Sequence, residues 1–233
     1  MIVIDLAGIK IAIDNKYSFV EKQCQDYLCD DTPEFMVSVT DEELLEERKK
    51  TEREYSAGYY ESICLYRKIC KQMPKYKGFY LHAAVVAVDN EGYAFSAKSG
   101  TGKSTHIALW KEHFGKRAEI VNGDKPLIRL IDDQFYVYGT PWCGKEKEGS
   151  NTFVPLKALC FLEQGRTNRI SRKNSKIILR RIMSQIVFPD QNEEMNLLFG
   201  LLDQLIQSIP CYTMACDISK QAVITAYEGM NCH

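Results

Sequence analysis

The segment Ala97-Lys98-Ser99-Gly100-Thr101-Gly102-Lys103-Ser104-Thr105 carries residue types that can grip a polyphosphate. It follows the spacing G-x-x-x-x-G-K-[ST] at every fixed position but the first, where alanine replaces glycine. Gly100 and Gly102 let the backbone curl so that successive N–H groups, with those of Ser99, Thr101 and Thr105, face phosphate oxygens. A helix beginning at Lys103 adds its unpaired amides and positive dipole end to the same anion. Lys103 is then expected to reach the β- and γ-phosphates of ATP or ADP, and Ser104 to set its hydroxyl on Mg²⁺. Ala97 is a mild departure, because alanine is accepted wherever φ stays negative.

The flanking pattern places that segment between a strand and a helix. Residues 81–88 form an apolar, β-branched run, 89–92 a turn and 93–96 a returning strand. Ile107, Leu109, Trp110 and Phe114 then predict an amphipathic helix over 103–114, stopped at Gly115. A short strand over 118–121 runs into Asn122-Gly123-Asp124. A carboxylate at that place commonly meets the metal, and the competing reading is a turn-forming Asx residue.

Before this block, Ile2, Ile4, Leu6 and Ile9, Ile11, Ile13 alternate as a hairpin turning at Ala7-Gly8, followed by a strand over 34–39. Thr40 is a helix N-cap candidate with acids behind it, the charge run 42–54 reads as a solvated helix face, and a helix is expected over 55–73, ended by Pro74. After the block come strands over 127–130, 135–138 and 156–162, helices over 175–187 and 193–209, a strand over 212–216 and a helix over 219–227. The economical picture is an α/β core over residues 76–233 with a small N-terminal α+β region, residues 1–75, and a helical C-terminal part.

With 30 Lys+Arg against 31 Asp+Glu, the 233-residue chain has a net charge of -1, which argues against a general grip on nucleic acid or an anionic membrane. No apolar run approaches the roughly 20 residues that cross a bilayer. The N-terminus lacks a basic segment and a small-residue cleavage site, so it is expected to be structure and not an address. Nine cysteines without a C-x-x-C pair and four scattered histidines suggest reduced thiols in a cytoplasmic protein and no structural metal.

The block from Leu81-His82, through Ser99-Gly100-Thr101-Gly102-Lys103-Ser104, to Asn122-Gly123-Asp124-Lys125-Pro126 resembles the kinase domain of the histidine-containing phosphocarrier (HPr) kinase/phosphorylase family and, more distantly, ATP-dependent phosphoenolpyruvate carboxykinase. The resemblance covers residues 80–162 and continues more weakly to Ile209-Pro210-Cys211-Tyr212. It implies a P-loop α/β core in which Lys103 binds phosphates and Ser104 and Thr105 sit at metal and phosphate. Asp124 would hold Mg²⁺ and help to deprotonate an acceptor hydroxyl, and His82 would lie near that aspartate. A lone histidine opening a strand also reads as a packed structural residue.

Two departures bear on this. Gly123 stands where the family's turn carries its first aspartate, and Tyr138-Gly139-Thr140-Pro141-Trp142-Cys143-Gly144-Lys145 replaces the downstream glutamate- and arginine-bearing signature. HPr is therefore a doubtful substrate, and the arginine, lysine and histidine set of a carboxykinase is missing. Trp142 reads either as a cover for a base or peptide or as the anchor of a tight turn. Cys143 has no histidine beside it in sequence to activate it. Lys125 and Arg129 are phosphate-neutralising groups or strand-surface charges. Arg166, Arg169, Arg172, Arg180 and Arg181 form a basic stretch for an acidic partner or, more simply, a solvated helix face. The stripe Leu197, Leu198, Leu201, Leu202, Leu205 is core packing or the seam of a homo-oligomer. The expected activity is Mg²⁺-dependent phosphoryl transfer from ATP to a hydroxyl of a small molecule or peptide. The alternative is a nucleotide-binding regulatory or accessory protein without turnover.

Overall fold

The computed structural model describes residues 1–231. Its N-terminal layer is a three-stranded sheet made by β1 (Ile2–Leu6), β2 (Ile9–Asp14) and β3 (Phe35–Ser38), with β1 antiparallel and β3 parallel to β2. Ala7 and Gly8, both with positive φ, make the two-residue hairpin turn whose twist suits the strands. A short α1 (Ser18–Gln23) precedes β3. Next, α2 (Asp41–Lys49) starts in a full capping box: the Glu43 N–H donates to the Thr40 hydroxyl while the Thr40 N–H donates to the Glu43 carboxylate. The longer α3 (Ala57–Gln72) lays Leu65, Tyr66, Ile69 and Cys70 against Ile4, Leu6, Ile11 and Ile13 of the sheet. That core also takes in Leu127 and Trp142, from the larger sheet and the loop beneath it.

The larger sheet has nine strands: β4 (Gly78–Tyr80), β5 (Ala83–Val88), β6 (Glu91–Ser96), β7 (Ala118–Asn122), β8 (Leu127–Ile131), β9 (Gln134–Tyr138), β10 (Phe153–Gln164), β11 (Arg169–Arg172) and β12 (Cys211–Cys216). β6, β10 and β12 run parallel; β5 is antiparallel to both β6 and β7, so β7 shares their direction. The carboxyl ends of four strands and the amino end of β5 thus meet at one edge. That edge is where α/β sheets bind ligands.

Two helices cover each face. On β5, Ala83, Val85 and Ala87 join one core while Ala84, Val86 and Val88 join the other, the period-two alternation of a strand buried on both faces. The first core is closed by α5 (Ser175–Met183) and α6 (Asn192–Ser208) through Ile178, Ile182, Leu198, Leu202 and Leu205, so most of the leucine stripe packs inward, whereas Leu197 is exposed. The second is closed by α4 (Lys103–Phe114) and α7 (Lys220–Asn231) through Ile107, Trp110, Val223, Ala226 and Met230.

The hairpin between β5 and β6 turns on Asp89-Asn90 alone, both left-handed, so β6 begins two residues earlier than the turn-rich sequence suggests. The expected helix face for the basic stretch is not found. Arg169 and Arg172 lie on β11, which pairs with β12, and only Arg180 and Arg181 are helical, the latter paired with Glu163.

Candidate functional site

At the carboxyl-end edge β6 stops at Ser96, and residues 97–102 lead into α4. Gly100 (φ 80°) and Gly102 (φ 111°) take left-handed conformations, and a Cβ added at either would meet nothing within 4 Å. Their glycine is required by backbone conformation and not by lack of room. Ala97 does not have a positive φ, which is why alanine is accepted there. Ser99 and Thr105 are exposed, Thr101 and Ser104 half-buried, and Lys103 opens α4 almost fully buried at 8% exposure.

The Lys103 ammonium does not point to solvent. Nζ lies 3.0 Å from His82 Nε2 and donates to the Ala97 carbonyl at 3.3 Å. Burial lowers its pKa, and the Asp124 charge opposes that shift in part.

His82 precedes β5, so the antiparallel course of that strand brings it to the same edge. Its Nε2 also lies 3.1 Å from Asp124 Oδ1, and its Nδ1 lies 2.8 Å from Gln185 Oε1, in the turn after α5. Gln185 Nε2 donates to Ser184 Oγ, which in turn donates to the Arg181 carbonyl. With the Gln185 oxygen turned toward the ring, a neutral imidazole protonated on Nδ1 offers Nε2 as the acceptor for Lys103. A hydrogen bond from Nε2 to Asp124 needs a second proton on the ring. Lys103 and Asp124 therefore compete for one nitrogen, and the occupant depends on where the lysine is drawn.

Asp124 is positioned by Asn122, whose Oδ1 accepts from the N–H groups of Asp124 (2.9 Å) and Lys125 (2.7 Å) and whose amide donates to Thr140. The Asx turn is thus made by Asn122, and the Asp124 carboxylate is left for His82 and the Lys125 ammonium. Burial works against its charge, but Lys125 and the His82 ring, when it donates from Nε2, outweigh burial and hold the carboxyl far below the usual carboxylate range.

At Gly123 an added Cβ would sit 2.9 Å from the Cys143 carbonyl and 3.1 Å from that of Glu148, while the Gly123 N–H donates to the Glu148 carbonyl. The neighbouring loop occupies the room a second acidic side chain needs. Trp142 is the anchor of that loop: it is 4% exposed, stacks on Tyr66 with centroids 4.2 Å apart, and donates from Nε1 to the Ser62 hydroxyl at 2.8 Å. The alternative in which it covers a base is overturned by this burial. Burial pushes the Cys143 thiol up, away from nucleophilic character. Arg129 does not meet phosphate. It donates to the carbonyls of Tyr76 and Ala7 and fastens the first hairpin.

The structure therefore brings Lys103, His82 and Asp124 into one hydrogen-bonded group, with Lys125 beside it and the glycine loop above Lys103. No group of three His, Cys, Asp or Glu side chains able to hold a metal occurs among the described residues. Gln185 was not legible as a site residue, since it lies 103 positions from His82 and carries no motif.

No protein-family model matches the chain, and no curated protein matches it in sequence. Among solved structures, the HPr(Ser) kinase/phosphatase from Coxiella burnetii is similar to it at 10% identity, over 62% of this chain and 89% of that one, with a TM-score of 0.34.

Proposed function

We propose that the protein is a nucleotide-binding phosphotransferase, which moves the terminal phosphoryl group of ATP to a hydroxyl of a small molecule or peptide. The observation that supports this reading best is the contact of Lys103, at the head of α4, with His82 and through it with Asp124. Phosphoryl transfer asks for a cation on the phosphates, N–H groups around them and a carboxylate at the acceptor. Lys103, the glycine loop and Asp124 would supply these in turn. A triphosphate in the loop draws Lys103 toward its oxygens and frees His82 Nε2 to take the acceptor proton, with Asp124 steadying the imidazolium. Mg²⁺, when bound, would neutralise phosphate charge. Ser104 and Asp124 supply one hydroxyl and one carboxylate, a donor set that suits an ion held largely by nucleotide phosphates and water.

The test is phosphoryl transfer and calorimetric nucleotide binding in Lys103→Ala and Asp124→Asn. Lys103→Ala is expected to abolish measurable Mg-ATP binding, and Asp124→Asn to retain binding while lowering transfer by 10²-fold or more. Full transfer retained in Asp124→Asn would sink the assignment. One observation favours a second reading, a nucleotide-dependent regulatory protein without turnover: the loop carbonyls at Gly123 leave a single carboxylate in the turn. It predicts tight binding and no product with any acceptor.

A further inference from the structure

A cleft of about 350 Å³ opens beside the glycine loop, on the side away from Asp124. Its walls include Thr105 and Leu109 of α4, Leu162 and Gln164 at the end of β10, Cys216 at the end of β12 and Ile218 just beyond it. The volume lies at the small end of the roughly 300–1,000 Å³ typical of ligand pockets. Thr101 and Gly102 also line it, so cleft and loop are continuous.

The strand order β7-β5-β6-β10-β12 decides what each side of the loop does. The loop leaves β6 at the centre. Asp124, after β7, and His82, before β5, stand on one side, and the cleft lies at the ends of β10 and β12 on the other. In-line transfer sets the acceptor oxygen and the leaving nucleotide on opposite sides of the phosphoryl group. With the acceptor on the Asp124 side, the rest of the nucleotide extends toward β10 and β12. Resting on the phosphotransferase reading above, we infer that this cleft takes the nucleoside half of the nucleotide, its base lodged between Leu109, Leu162 and Ile218.

The chemistry of the walls agrees. Leu109, Leu162 and Ile218 give the cleft an apolar patch suited to the face of a base, and Gln164 holds the loop through its amide on the Gly100 carbonyl. Asp217, also at the rim, is fixed as a carboxylate by hydrogen bonds from Ser219 and Asn168. A negative charge there repels a phosphate chain and tolerates an uncharged nucleoside, which sends the phosphates to the loop. Ile218 is 77% exposed, a large apolar side chain left at the mouth of the cleft. A larger cavity of about 600 Å³, lined by Leu156, Arg172, Ile209 and Tyr212, opens at the amino ends of β10 and β12. It is about 20 Å from the loop, the length of a six-residue strand, and cannot share a ligand with it by direct contact.

The experiment compares Mg-ATP with Mg-tripolyphosphate, by calorimetry and by methyl-labelled NMR, in wild type and Ile218→Ala. Ile218 is exposed, so this change leaves the fold intact. Wild type is expected to bind ATP at least tenfold more tightly than tripolyphosphate. Ile218→Ala is expected to weaken ATP about fivefold and leave tripolyphosphate within twofold. ATP, but not tripolyphosphate, should shift the methyl signals of Ile218, Leu109 and Leu162. Equal binding of the two ligands, or ATP-induced shifts confined to Leu156 and Ile209 at the other edge, overturns the cleft assignment and leaves the loop reading standing. Binding of neither ligand to folded protein overturns both.

Discussion

Lys103, His82 and Asp124 come from three separate stretches of chain, yet the lysine and the histidine act on one another through a single ring nitrogen. What holds that nitrogen in place is Gln185, through the hydrogen bond to the far side of the ring. Replacing Gln185 by alanine leaves Lys103 and the loop untouched but lets the imidazole turn and change tautomer. The expected result is transfer lowered at the weaker end of acid–base contributions, about 10²-fold, with nucleotide affinity within twofold. Parallel losses in both would show that Gln185 serves the fold and not His82. The motif residues of this site were legible because the loop chemistry is local: glycines, lysine and hydroxyl sit within nine positions. Asp124 was legible from the strand that delivers it. Gln185 was not, because its role is set by where α5 ends in space. A second carboxylate placed at Gly123 is expected to fail. A side chain there meets two loop carbonyls, so Gly123→Asp should cost about 1–3 kcal/mol in urea unfolding and add no transfer activity.

Helices and hairpins declared themselves where end signals are chemical. Gly115, with φ 58°, closes α4 at the residue expected, and Thr40 caps α2 with Glu43 answering it. The elements that were missed lack such signals. β4 has three residues and exists by pairing with β8, about fifty positions later; β11 has Ile170 as its single apolar residue; α1 buries Val20 alone. The charge run behind Thr40 is more than a solvated face. Glu47 is 8% exposed and accepts a two-pronged hydrogen bond from the Arg67 guanidinium, at 2.7 and 2.8 Å, which clamps α2 to α3. The Arg67 hydrogen bond, helped by Lys50 and opposed by burial, lowers the Glu47 pKa to about 2. Its folded value lies below its unfolded one, so this pair stabilises the fold above the unfolded pKa near 4.5, and the contribution disappears as pH falls toward 2. Glu47→Gln should therefore lose about 1–2 kcal/mol at pH 7, after allowance for solvent screening, and the gap to wild type should shrink below pH 4.5. A gap that is flat with pH would show that packing, not charge, fastens the two helices.

Across the whole molecule, residues 1–75 read in sequence as an appendage, but the contacts run from them into the Asp124 turn and the loop over 139–150. Tyr66 on α3 donates its hydroxyl to the Lys125 carbonyl at 2.6 Å and stacks on Trp142, Gln23 donates to the Pro141 carbonyl, and Tyr27 to that of Ser150. The N-terminal layer thus forms the floor under the Asp124 turn, a relation that no local pattern encodes because each contact spans more than fifty residues. Two substitutions separate packing from hydrogen bonding in that floor. Trp142→Ala empties a buried indole site and should cost about 3–5 kcal/mol. Tyr66→Phe keeps the ring stack and removes one donor from a carbonyl that still accepts from the Thr140 hydroxyl at 2.8 Å, so its cost should stay near 1 kcal/mol. Because Leu127 and Trp142 share a core with Ile4, Leu6 and Leu65, Trp142→Ala should shift the unfolding of both halves together. Urea unfolding followed by tryptophan fluorescence in the Trp110-only variant that Trp142→Ala creates, and by hydrogen exchange at β1 and β2, should give coincident midpoints, both lower than in wild type. If the β1–β2 amides keep their wild-type midpoint while the Trp110 signal moves, the N-terminal layer folds on its own and the floor is a docked contact between independent units.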